Sequence, residues 1–196
     1  MHRSRTATTR KESPMNPSTI NDIDFQQLFQ SIAPEFISDN VFTLAYSAIT
    51  AGKQHHYNSM IGSGGGFGLF FKKPSTWSLL KSDRYTLELI QKEQSFTLSY
   101  FPRQYNQQAL FLGSESGRNT AKMEEVELTS VQLPSGNISY AEARLILECN
   151  LTAITTPSPE DFYSPEALHY LAEAYKEPSD HRKIVFGEIT HAWVKR

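Results

Sequence analysis

Tyr57-Asn58-Ser59-Met60-Ile61-Gly62-Ser63-Gly64-Gly65-Gly66-Phe67-Gly68 carries an apolar strand candidate straight into five glycines within seven residues, Gly62 to Gly68. A backbone stripped of side chains in this way can approach a flat or anionic ligand closely. The run matches no common nucleotide motif. No Gly-Lys-Ser/Thr follows it, because Lys72-Lys73 precede Pro74, so it is not a P-loop. Gly62-x-Gly64-x-x-Phe67 also lacks the third small residue of a dinucleotide fingerprint. On local sequence alone, a ligand cradle and a flexible turn between two strands fit equally well.

Working outward, Phe42 to Thr50 is rich in β-branched and aromatic residues, with a turn expected at Ala51-Gly52-Lys53 and a strand over 55–62. Trp77 to Lys81 reads as a short buried strand. Residues 95–101, SFTLSYF, alternate strictly and predict a half-buried strand. Residues 143–154, ARLILECNLTAI, predict a long strand with Leu145, Leu147 and Cys149 on one face, and a last strand is expected over 183–194. Helical spacing appears over 22–32, again within Ser82–Lys92, from Tyr105 through Ala109 and Leu112 to Gly113, and over about 164–176. Strands broken by short helices, without regular βαβ spacing, predict a mainly β fold: an antiparallel barrel with inserted helices.

Composition narrows the chemistry. The 196 residues suffice for one domain with a tail. Residues 1–16, basic and rich in Ser and Thr, read as a disordered tail, and 17–196 as a single domain. A net charge of −2, with no basic stripe interleaved with aromatics, argues against nucleic acid as a partner. No apolar run approaches the ~20 residues that cross a bilayer, so a cytoplasmic chain with no membrane partner is expected. The single cysteine, Cys149, rules out a disulfide framework and a CxxC redox pair, so any redox chemistry must travel on a cofactor.

Few side chains suggest catalysis on their own. His55 and His56 are adjacent and would point to opposite faces of a strand, and His181 and His191 have no carboxylate in register, so no metal centre is expected. Gly-x-Ser-x-Gly is absent around Ser63. The start of the 82–92 helix is richer. Arg84, hydroxyls and a helix N-terminus together suit a phosphate, while ordinary capping by Ser82 or Asp83 is the plainer reading. The polar loop Gly113-Ser114-Glu115-Ser116-Gly117-Arg118-Asn119-Thr120-Ala121-Lys122 brings two more cations and leads into an expected short helix, and on its own a solvated loop is the plainer reading.

The order of these weak signals is more specific than any one of them. Asn58-x-Met60 running into Gly65-Gly66-Phe67-Gly68 is followed by Lys73-Pro74, Arg84-Tyr85-Thr86 and Phe96-Thr97-Leu98-Ser99. Gly113-Ser114-x-Ser116-Gly117-Arg118-x-x-x-Lys122, Ala143-Arg144-Leu145-x-Leu147-Glu148-Cys149, and Asp180-His181 before Gly187-Glu188-Ile189 complete the series. Over about 40–195 the chain resembles the flavin reductase-like proteins of the FMN-binding split-barrel fold, especially the flavoredoxin-type branch.

That resemblance implies an antiparallel Greek-key split barrel with short flanking helices, a homodimer with FMN near the interface, and NAD(P)H as electron donor. It implies that Asn58, Ser59, Met60, Ile61, Gly62 and Ser63 lie along the isoalloxazine, largely through backbone groups. Close backbone approach at Gly62 is part of that expectation. Arg84, Tyr85 and Thr86, with the loop from Ser116 to Lys122, would hold the ribityl phosphate. His181 would sit near the flavin and the nicotinamide, as a positioning or hydrogen-bonding group. The implied activity is hydride transfer through FMN to flavin or another small-molecule acceptor. The alternatives are an FMN-binding electron-transfer module reduced by a partner protein and, further off, an oxidase of pyridoxamine-phosphate type. Many members carry tryptophan where this chain has Gly64, a departure that bears on substrate preference.

Overall fold

The computed structural model describes residues 47–53, 56–62, 64–114, 116–118, 122–176 and 181–195. The tail 1–16, the expected helix over 22–32, Ser63 and Asp180 lie outside the described residues. The strands are β1 (Ser47–Lys53), β2 (His56–Gly62), β3 (Gly65–Phe70), β4 (Lys73–Lys81), β5 (Ser95–Tyr100), β6 (Ser130–Gln132), β7 (Ile138–Tyr140), β8 (Leu145–Thr155) and β9 (Arg182–Val194). The helices are α1 (Tyr85–Glu93), α2 (Asn106–Ser114), α3 (Lys122–Glu125) and α4 (Pro165–Ala174).

Seven strands form one antiparallel sheet in the order β2-β1-β5-β8-β9-β4-β3, and β6 pairs with β7 alone. The sheet is an unclosed barrel. Its two edges, β2 and β3, are consecutive in the chain, yet no ladder joins them. Ile49 and Met60 from one side of the sheet share a core with Leu80 and Val185 from the other, and Leu87 and Ile90 of α1 fill the space between. α1 packs chiefly on β1, β2 and β5. The ladder between the long strands β8 and β9 has register irregularities at Glu148/Cys149 and Leu151/Ala153. A second core on the outer face joins Ala48, Leu112 and Tyr140.

Local reasons for these elements are plain. In α1, Thr86, Leu87, Leu89 and Ile90 are buried while Glu88 and Lys92 face out, and Gln94 closes the helix in a left-handed conformation at φ 55°. Between β3 and β4, Phe71 and Lys72 form a two-residue turn with φ of 47° and 66°, as a tight hairpin requires.

Three expectations change. The glycine run is not a turn: Gly65, Gly66 and Gly68 belong to β3, where Gly66 makes room for the Trp77 indole, which a Cβ there would meet at 2.9 Å. The strand expected at Trp77 begins four residues earlier, because Pro74 sits near the start of β4, where a missing N–H is tolerated. The turn expected at Ala51-Gly52-Lys53 is strand instead, pairing with His56, Tyr57 and Asn58.

Candidate functional site

α1 begins with a bare N-terminus. Its N-cap is Arg84, whose side chain makes no capping hydrogen bond, so the cap position falls on neither Ser82 nor Asp83. The turn that delivers it is fixed by Arg84 N–H donating to Lys81 C=O at 3.2 Å and Ser82 N–H donating to His181 C=O at 2.8 Å. An uncapped N-terminus points amides and the positive end of the helix dipole at whatever faces it.

What faces it is β2. Asn58 Nδ2 donates to Thr86 Oγ1 at 2.8 Å, tying the edge strand to the first turn of α1. Asn58 Oδ1, by contrast, is buried without a partner, and so is Arg84 Nε. A buried polar group without a hydrogen bond costs on the order of 1–3 kcal/mol, which a bound ligand with matching groups would recover.

The loop after α2 closes the third side. Gly117 lies so near Asn58 that a Cβ there would fall 1.9 Å from Oδ1. Lys122 is only 2% exposed, and its Nζ donates to Leu112 C=O at 3.0 Å. Asn58, Arg84, Thr86, Ser116, Gly117 and Lys122 thus meet around one polar cavity of about 90 Å³. Arg118 straps the loop across it: the guanidinium donates to Asp83 C=O at 2.7 Å, pairs with Glu88, and lies 5.4 Å from the centroid of the Tyr85 ring. Tyr85 OH in turn shares a 2.9 Å hydrogen bond with His56 Nε2.

A larger cavity of about 370 Å³ shares Met60, Ile61 and Arg84 with the first. Its floor includes Gly64 and Leu79, and a Cβ on Gly64 would make only ordinary contact with Leu79, at 3.5 Å. Its roof is aromatic, built from Phe162, Tyr170 and Tyr175 with Leu171 of α4. Together the cavities run along β2, whose outer edge has no strand partner among the described residues, leaving alternate backbone amides and carbonyls on that side.

Of the residues the sequence singled out, Asn58, Met60, Ile61, Arg84, Tyr85, Thr86, Ser116 and Lys122 line this site. Three do not. The Ser59 hydroxyl points into the opposite core, 2.6 Å from Tyr140 OH and 2.7 Å from Thr50 Oγ1. Burial pushes the Tyr140 phenol well above its ordinary range, so this chain of hydroxyls stays neutral. Gly62 makes room for its neighbour strand: a Cβ there would meet Ser47 Oγ at 2.5 Å. His181 is exposed and stacks on Tyr175 at 5.1 Å, one row behind the wall. Nothing in the local sequence pointed to the aromatic roof or to Arg182. The aromatics between Phe162 and Tyr175 carried a signal, a cluster beside a helix, but nothing local linked it to β2.

No family model matches the chain, and no protein of curated function matches it. Solved structures do. An FMN-binding protein from Thermus thermophilus with bound 1-cyclohex-2-enone superposes with a TM-score of 0.60 at 18% identity, over 85% of this chain and 78% of that one. Flavoredoxin from Methanosarcina acetivorans gives 0.56 at 16%, over 86% and 77%. The NADH:FAD oxidoreductase SgcE6 of Streptomyces globisporus gives 0.54 at 13%, over 76% and 74%. At these identities the likeness is one of fold: the unclosed antiparallel barrel is that of FMN-binding, flavin reductase-like proteins.

Proposed function

We propose that this chain is an FMN-binding oxidoreductase, acting as an NAD(P)H-dependent reductase of flavin or another small acceptor. One observation carries the reading: the uncapped start of α1, the orphaned Arg84 Nε, buried Lys122 and the Gly117 gap converge on a single polar cavity at the free edge of β2. Helix amides and two cations suit a phosphate dianion. Asn58 Oδ1 is an unused acceptor, suited to a ribityl hydroxyl. The free edge of β2 suits the alternating donors and acceptors along one side of an isoalloxazine, with Met60 and Ile61 packing on the ring.

FMN bound there would supply two-electron hydride chemistry, which no side chain of this protein offers. The protein's own task is then to hold and orient. The aromatic roof excludes water from the larger cavity, and Gly64 leaves its floor open. His181, stacked on Tyr175, is assigned to hold that roof over the nicotinamide. Apolar side chains stand out on β3, with Leu69 78% exposed, and they offer a face for the expected homodimer or for a protein electron donor.

The test is anaerobic stopped-flow reduction of the FMN-loaded protein by NADH and NADPH, with His181→Ala beside wild type. Rapid bleaching by either nucleotide, slowed by up to about 100-fold in the variant at unchanged FMN affinity, is the expected result. A wild type that bleaches slowly with both nucleotides overturns the reductase reading in favour of a partner-fed electron carrier.

A further inference from the structure

Arg118 lines the polar cavity, but the contacts of its guanidinium run along the exposed side of α1. It donates to Asp83 C=O at 2.7 Å, in the turn that leads into the helix, and pairs with Glu88 further along. Tyr85 and Glu88 stand three residues apart and so share a helix face. Over that face the guanidinium lies 5.4 Å from the Tyr85 ring centroid. Tyr85 OH then reaches His56 Nε2 on β2 at 2.9 Å. The three walls of the cavity, loop, helix and edge strand, are thus joined in series through Arg118, Tyr85 and His56. A planar fork of donors is suited to hold a carbonyl, a carboxylate and a ring face together.

These contacts place Arg118 to hold the wall and not the ligand. We propose that Arg118 is a positioning residue. Anchored by Glu88 and Asp83, it straps the 116–118 loop to the start of α1 and sets how long a flavin stays bound. The ligand of this strap rests on the FMN reading; the strap itself, present without a ligand, does not. Electrostatics gives it a distinctive signature. Glu88 is an anion in the first turn of the helix whose start is assigned to a phosphate dianion. As a bare charge it opposes that ligand, so its removal would tighten binding. As the anchor of Arg118 it does the reverse, and its removal loosens the site.

The experiment times release of FMN and of riboflavin by stopped-flow fluorescence in wild type, Arg118→Gln, Arg118→Lys and Glu88→Gln. Hydrogen–deuterium exchange of the 116–118 loop is measured in each flavin-free protein. Arg118→Gln is expected to release both flavins about tenfold faster, since it loses a charge-assisted bond as well as an ion pair. Glu88→Gln should speed release about threefold, as the loss of one exposed ion pair implies. Arg118→Lys should restore part of the difference, and the preference for FMN over riboflavin should be unchanged in all three. Loop exchange should rise in both Gln variants. Tighter FMN binding by Glu88→Gln, or an Arg118→Gln variant that loses the preference for FMN, overturns the proposal, because Arg118 would then be a ligand of the phosphate. Unchanged loop exchange in both Gln variants overturns it as well. If the protein binds neither flavin while loop exchange rises in both, the strap stands and the FMN reading falls.

Discussion

Gly117 and Asn58 are in contact at the limit of what a backbone allows: a single added carbon on Gly117 would sit 1.9 Å from Asn58 Oδ1. The edge strand and the loop after α2 are thereby locked together around the polar cavity. Asn58 also holds α1 through Thr86, so one amide side chain positions two of the three walls.

Gly117→Ala should therefore disturb the cavity while sparing the cores, from which it is remote. FMN affinity should fall by about tenfold or more, given the close geometry and the charge-assisted contacts involved. Fluorescence-quenching titration measures it, with thermal melting as the control. Unchanged affinity at an unchanged melting temperature would separate Gly117 from the ligand.

Arg84→Ala and Lys122→Ala should differ from each other. Arg84 is half-buried at a helix start, and its loss should cost FMN binding on the order of 1–3 kcal/mol with little change in melting. Lys122, expected from sequence to lie in a solvated loop, is buried and holds the Leu112 carbonyl at the end of α2. Its removal should weaken FMN binding and lower the melting temperature together. Parallel titrations and melts of both variants decide whether the two cations divide their roles in this way.

Away from the site, Glu148 should contribute to the pH dependence of stability. Burial alone would raise its pKa, but hydrogen bonds from Ser135, from the Trp193 indole at 2.8 Å and from Asn137 at 3.3 Å outweigh that effect, with help from His191. The carboxyl is held below the usual range. A folded-state pKa below the unfolded one adds stability that is complete above the unfolded value and is lost as pH falls through the folded value. Melting curves from neutral to acidic pH should show that loss, and Glu148→Gln should flatten it. An equally steep acid loss in the variant would assign it to other carboxylates.

Most of the sheet was legible because its strands carry their own periodicity. The alternation in 95–101 and the apolar runs in 143–154 and 183–194 each lie close to an observed strand. β3 was not legible, since Gly65, Gly66 and Gly68 have no side chains to alternate. Its strand character comes from pairing with β4, including Thr76 Oγ1 donating to Gly66 C=O at 2.8 Å. The β3–β4 turn was hidden for a different reason. Phe71 and Lys72 take positive φ without the Asn or Gly that announces such a turn. The walls of the polar cavity were visible in the sequence as separate segments, Arg84 to Thr86 and Ser116 to Lys122, whose cations and hydroxyls set them apart, although nothing local showed that they meet. Strand alternation turns the Ser59 hydroxyl to the face opposite Asn58 and Met60, where it meets Thr50 and Tyr140, while Gly62 is packed against Ser47 across the β1–β2 ladder. No local pattern reports which face of a strand a distant helix will cover.

The central claim is that this polar cavity is built for the phosphate of FMN, and parallel fluorescence titrations with FMN and riboflavin test it most directly. The two ligands share the ring and ribityl chain and differ only in the group that Arg84, Lys122 and the start of α1 are assigned to hold. FMN should bind about tenfold tighter or more, with the difference shrinking in Arg84→Ala. Equal affinity for the two flavins in the wild-type protein would contradict the assignment.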